Sequence, residues 1–199
     1  MVKRNMRHRI YAKYKNVMLR PVLLDDIESL RCWRNDPDNT KYLNHIGTIT
    51  PEMQLLWFER DLNDPDSYTF AIVETECLDA LVGSISLYNF VGKRCEQGRS
   101  MIGNRQARGV AIHSSKLAHH IAYSLLGIET IIAEAHKKNV SAVMLCRKLG
   151  FEISGEHCNN GMEIWEYSQN AEVFYKVSPD IRNVQIHSDW QGPDGGLQQ

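Results

Sequence analysis

Three β-rich runs in close succession, followed by one long helical stretch, restrict this chain more than any other feature of it. Tyr68–Val73, Leu81–Tyr88 and Glu96–Ile102 read as strands. Their connectors, Thr75–Asp79 and Val91–Arg94, are of hairpin length, which predicts antiparallel neighbours. In the middle run strict alternation puts Leu81, Gly83, Ile85 and Leu87 on one face. Gly109–Leu126 then reads as a helix, with Gly127 at its C-cap. Thr130–Ala135 reads as a buried strand. Asn139–Leu149 reads as a helix with Ala142, Leu145, Cys146 and Leu149 on one stripe, stopped by Gly150. Only the Thr130 strand lies between two helices, so the expected class is α/β with a mixed (α+β) sheet and not a doubly wound one.

The flanks complete one domain. Val17–Val22 reads as a first strand, and Pro21 suits an edge position. Asp25 and Glu28 have capping-box spacing before a helix with Ile27, Leu30 and Trp33 on one side, ended by Asn35-Asp36-Pro37. Thr50-Pro51-Glu52 opens a second helix with an N-cap hydroxyl, proline at the first helical position and an acid in the first turn. Phe151–His157 and Glu163–Lys176 read as closing strands around an Asn160-Gly161 turn. The predicted order is β-α-α-β-β-β-α-β-α-β-β over residues 16–177. A flexible arm (residues 1–15) precedes it, and a polar, disordered tail (178–199) follows it.

Charge is unevenly spread. Residues 1–24 hold seven of the 23 Lys/Arg and no acid, which leaves 16 basic residues to face 24 acidic ones in the body. An acidic body argues against a broad nucleic-acid surface, whereas the basic arm could hold RNA, the ribosome or anionic lipid through phosphate neutralisation. The longest apolar runs are a few residues, so neither a bilayer span nor a secretory signal is expected. Five cysteines without a C-x-x-C pair fit a reducing, cytoplasmic setting. His113, His119, His120, His136 and His157 include no i, i+3 or i, i+4 pair in the long helix, so no helical metal clamp is expected, and no metal.

The chemistry is expected where the third middle strand meets the long helix. In Gln106-Ala107-Arg108-Gly109-Val110-Ala111 the small residues allow a ligand close to the main chain, and the helix start offers free N–H groups and a positive dipole end. Arg105 and Arg108 add charge. This Q-x-x-G-x-A after a strand, with Asn139-x-x-Ala142-x-x-Leu145-x-x-x-Leu149-Gly150-Phe151 downstream, resembles the GNAT N-acetyltransferase family. More narrowly it resembles the branch that acetylates ribosomal-protein N-termini and nucleotide-linked amino sugars. Leu19-Arg20-Pro21, Trp33-Arg34-Asn35-Asp36 and Trp57-Phe58 fit that branch as well, and the likeness covers about residues 17–176.

The resemblance implies acetyl-CoA as co-substrate. Its pyrophosphate would meet the amides of Gln106–Ala111, its pantetheine arm would meet Met101, Ile102 and Asn139, and a primary amine would attack the thioester directly. Glu96 lies where the branch often has a carboxylate, as general base or amine-orienting group. Cys146 occupies the position where the family usually places a tyrosine as proton donor to the CoA thiolate. Its place on the apolar stripe favours core packing. Trp33, Arg34 and Trp57 would shape the acceptor pocket. The implied acceptor is a small-molecule amine, first a nucleotide-linked or other glycosyl amine, and second a protein α-amine, with the ribosome as partner. A non-catalytic acyl-CoA-binding module is the rival class, and a second copy of the chain is a candidate partner.

Overall fold

A computed structural model describes residues 7–43, 47–104 and 106–192. Among them, nine strands form one mixed sheet in the order β7-β8-β6-β5-β4-β3-β2-β1-β9. These are β1 (Tyr11–Tyr14), β2 (Val17–Pro21), β3 (Ser67–Glu74), β4 (Ala80–Val91), β5 (Arg94–Ile102), β6 (Thr130–His136), β7 (Glu152–Asn159), β8 (Met162–Asn170) and β9 (Ile186–His187). All pairings are antiparallel except β5 with β6, which are joined through a crossover helix. Six helices accompany the sheet: α1 (Ile27–Asn35), α2 (Pro37–Thr40), α3 (Pro51–Asn63), α4 (Val110–Ser124), α5 (Val140–Leu149) and α6 (Ala171–Val177).

Two apolar cores lie on opposite faces of the sheet. The larger joins Leu117, Ile121 and Val110 of α4 and Leu149 of α5 to Phe70, Ile72, Ile85, Leu87, Cys95 and Ile131. The smaller packs Leu30 of α1 and Phe58 of α3 on Val22 and Ala71, with Trp33, Trp57 and Leu81 at its margin. Leu81 therefore leaves the face it shares with Ile85 and Leu87 on simple alternation. The β3–β4 register shifts between Ile72 and Val73, and the extra residue of this bulge turns Val82 into the larger core and Leu81 onto the other face.

Five other expectations change. β2 is not an edge strand but lies between β3 and β1, and Pro21 is tolerated because it stands beyond the last residue that β1 pairs, Leu19. The N-terminal arm is not free to residue 15: Tyr11–Tyr14 pairs with both β2 and β9, and Ala12 and Tyr14 are buried. The tail beyond residue 177 returns to the sheet as β9, and Trp190 packs on Tyr11 while donating its backbone N–H to the Arg9 carbonyl. The closing strand ends at Asn170, not 176, because the Asn170 side chain accepts the Val173 N–H and starts α6. Instead of an Asp25–Glu28 capping box, Asp26 accepts the Leu23 N–H and a bidentate pair from Arg20, and Glu28 binds Arg31. Asp26 is positioned better because the chain enters α1 through a 3-10 turn over Leu24–Asp26.

Candidate active site

β5 and β6 begin as partners and then separate. Their ladder runs through Arg94, Cys95 and Glu96 opposite Thr130, Ile131 and Ile132 and stops there. Beyond that point β5 follows β4 to Ile102 and β6 follows β8 to His136. The inner edge of β5 over Gln97–Ile102 is thus left without a ladder partner, an opening into which an extended ligand can add itself by main-chain hydrogen bonds. A bulge shapes the same stretch. Three residues of β4, Ser84–Ser86, span four of β5, Gly98–Met101, and Arg99 within it has φ +49°. The backbone turn brings Arg99 to the α1/α3 face, where its guanidinium lies 4.1 Å from the centre of the Tyr88 ring.

At the end of β5, the loop Gln106–Gly109 leads into α4. Gly109 is the N-cap with φ +70°, a conformation open to glycine at little cost, and no side chain caps the helix. The helix start therefore presents uncapped amides at a positive dipole end, as a phosphate site requires. Asn16 fixes the loop from the β1–β2 turn by donating to the Arg108 carbonyl at 3.1 Å, and the His113 ring donates to Asn16 at 2.7 Å. Burial, then Lys15 and Lys116, holds the His113 pKa below its ordinary value, so the ring is neutral at pH 7. Gln106, Arg108, Gly109 and Ala111 are exposed, Ala107 is half-buried, and the Val110 side chain belongs to the core. Arg105 lies outside the described residues.

Asn139 caps α5, its side-chain oxygen accepting the Ala142 N–H at 3.2 Å, and among the described residues its amide NH2 has no hydrogen-bond partner. Cys146 is buried within the larger core, and burial pushes its thiol up to about 11. A thiol held so high is a weaker acid than an ordinary one and gives up its proton less readily to a departing thiolate.

The α1/α3 face carries the remaining candidates. Arg34 and Trp57 line one cavity of about 550 Å³ with Arg60, Asp61, Asp64 and Arg99. Trp33 packs so closely on Gly103 that an added Cβ would lie 1.9 Å from its ring. Glu96, half-buried, lines an adjacent recess with Asn89 and Arg94. Tyr88 lies between the two, over Gly98, where an added Cβ would meet its hydroxyl at 2.6 Å. Burial and the neighbouring Glu96 carboxylate push the Tyr88 hydroxyl up to about 12, which keeps it a neutral donor.

Sequence reasoning missed Tyr88, Arg60 and Arg99, since only the bulge and the packing of α3 bring them together. It also missed that Glu134, His157 and Glu166 place their ligand atoms within 4.8 Å of one another. Sheet register, not helical spacing, creates that cluster.

The sequence pattern described as acetyltransferase (GNAT) domain matches residues 16–152. The chain belongs to the GNAT family. GNAT acetyltransferases use acetyl-CoA, and the parted strands and uncapped helix start here suit that molecule. Spermidine N(1)-acetyltransferase of Escherichia coli (strain K12) is 27% identical over 144 residues, 71% of this chain and 75% of that enzyme. Among solved structures, a nucleotide-linked sugar GNAT, FdhC, has a TM-score of 0.74 at 22% identity, covering 87% of this chain and 98% of its own. Spermidine N-acetyltransferase from Vibrio cholerae, solved with CoA and spermine, has 0.71 at 16%, covering 81% and 99%. These likenesses agree with the mixed-sheet GNAT fold seen here. Among the described residues no helix is long and apolar enough to cross a membrane.

Proposed function

We propose that this GNAT acetyltransferase moves an acetyl group from acetyl-CoA to the primary amine of a small molecule, in a complex holding both. The observation that carries the proposal is the parting of β5 from β6 after Glu96 and Ile132, in line with an α4 start that no side chain caps. The amides of Gln106–Ala111 would hold the pyrophosphate. Met101 and Ile102 on the open edge, with the Asn139 amide, would bind the pantetheine arm. Acetyl-CoA supplies the activated acyl group. A main-chain N–H fixed on the β5 edge would stabilise the negative charge that develops on the thioester oxygen.

An amine arrives protonated at neutral pH, so the site must take up that proton. Glu96 is assigned this step, directly or through water, with the Tyr88 hydroxyl orienting its carboxylate. Burial of Cys146 supports a packing role there, and solvent would then protonate the departing thiolate. Trp33, Arg34 and Trp57 would form the acceptor wall, and a nucleotide-linked amino sugar is our first acceptor class. A polyamine is the second reading, favoured by the spermidine-acetylating relatives. A protein α-amine is third: part of the basic arm that suggested it is paired into the sheet. The cytoplasm is the proposed location.

The test is calorimetric titration of the full chain with CoA, followed by thiol release from acetyl-CoA with a panel of amines. Micromolar CoA binding with amine-dependent thiol release is expected. Binding without release on any amine would favour a non-catalytic acyl-CoA module, and absence of binding by folded protein would overturn the proposal.

A further inference from the structure

The geometry points to an anion subsite in the cavity of Arg34, Arg60 and Arg99, so that the acceptor is a phosphoryl-bearing amine and not a polyamine. This rests on the acetyltransferase reading and names the substrate class of the same site. Arg34, Arg60 and Arg99 line one space of about 550 Å³ from three elements, α1, α3 and β5. Among the described residues none of the three has a carboxylate within ion-pair distance. Arg60 donates its Nε–H only to the Leu56 carbonyl at 3.3 Å, and Arg99 is held by the Tyr88 ring.

Two acids also line the cavity, so three cations face two anions there, and among the described residues neither acid is ion-paired with an arginine of the set. Asp61 accepts the Thr69 hydroxyl at 2.8 Å and the Ser67 hydroxyl at 3.1 Å, and Asp64 accepts the Asp66 N–H at 2.8 Å. Arg34 is half-buried, and burial together with Arg99 lowers its pKa, the mark of a cation short of counter-charge. An anion with several acceptor oxygens satisfies such a set, since guanidinium forks match phosphoryl geometry. A polyamine would add positive charge to it. Trp57 supplies an apolar wall for a sugar or base, and through Arg99 and Tyr88 the cavity adjoins Glu96, where the amine would be relieved of its proton.

The experiment first saturates the full chain with CoA, which fills the phosphate site at α4 and reports on the acetyltransferase reading by itself. UDP and inorganic pyrophosphate are then titrated into the complex, with succinate as a carboxylate dianion and spermidine as a polycation. Binding of UDP and pyrophosphate, weakened about tenfold or more by Arg34→Gln and by Arg99→Gln with CoA affinity unchanged, is the expected result. In thiol-release assays the same variants should raise KM for glucosamine 6-phosphate or a UDP-linked amino sugar about tenfold, with kcat within about twofold. Tighter binding of succinate than of the phosphoryl probes would overturn the phosphoryl assignment. Preferential use of spermidine, or variants that fold and bind UDP as the parent does, would overturn the subsite altogether.

Discussion

Glu96 and Cys146 show what a single side chain owes to its place. Glu96 is the last β5 residue paired with β6, so its carboxylate stands where the strands begin to part, under the Tyr88 hydroxyl. If it takes up the amine proton, Glu96→Gln lowers kcat about 100-fold, and calorimetry returns the parent CoA affinity. Cys146 lies on the core side of α5 with a thiol that burial keeps protonated. Cys146→Ala is expected to reduce stability by about 1 to 2 kcal/mol through a small cavity and to leave kcat within a few-fold, as denaturant melts and initial rates would measure. A loss of kcat comparable to that of Glu96→Gln would return Cys146 to the chemistry.

At the scale of elements, the proposed CoA-binding edge depends on the close approach of β4 and β5. A Cβ at Gly83 would lie 2.1 Å from the Met101 carbonyl oxygen, so the end of β5 holds its course only while position 83 has no side chain. Gly83→Ala should therefore cost about 1 to 3 kcal/mol and weaken CoA binding in the same protein. Gly92→Ala in the β4–β5 turn is the matched control. Gly92 has φ +60° and open space around it, so alanine strains the turn without displacing the binding edge, and CoA affinity should not change. The segments from 163 to 176 were legible as ordered structure but not as its type. Val173, Phe174 and Tyr175 favour strands by composition, yet a cap from Asn170 and full burial of Phe174 turn them into a helix.

The whole molecule carries two features that no element has alone. The first is closure of its N-terminal edge by the C-terminal segment: β9 pairs with β1, and Trp190 covers Tyr11 at a ring separation of 5.2 Å. Ending the chain at Val184 should cost about 2 to 3 kcal/mol, the order expected for exposing one large aromatic contact, and a thermal melt would show it. The second is a pair of buried neutral histidines. His8 accepts the Ile10 N–H at Nδ1 and donates from Nε2 to the Thr69 carbonyl, and burial lowers its pKa to about 4. His119, fully buried against Phe151 and Phe174, is lowered by burial to about 3. Both folded values lie below the unfolded one, so the unfolded chain binds more protons as the solution is acidified. Their contribution is complete above about pH 6.5 and is lost as pH falls towards 4 and 3, on the order of 3 kcal/mol for His8 and 5 kcal/mol for His119. Urea titrations across this range should show the loss, and His119→Phe should make the curve shallower.

The strand and helix order, the position of the uncapped helix start and the N-x-x-A…L-G-F segment were legible in the sequence, because each depends on neighbours within a few residues. Alternation, cap residues and glycines encode local conformation directly. The packing of Leu81 on the second core, the turning of Arg99 towards Tyr88, and the gathering of Arg34 with Arg60 and Arg99 depended on tertiary structure. A bulge adds one residue to a strand and exchanges its faces, and no local pattern in these strands marks where partners will fall out of register. The same holds for the termini: residues 186–187 become a strand only on the edge of residues 11–14, which themselves pair with β2, and the β1–β9 partners are 174 to 176 residues apart, a pairing that neither segment encodes alone.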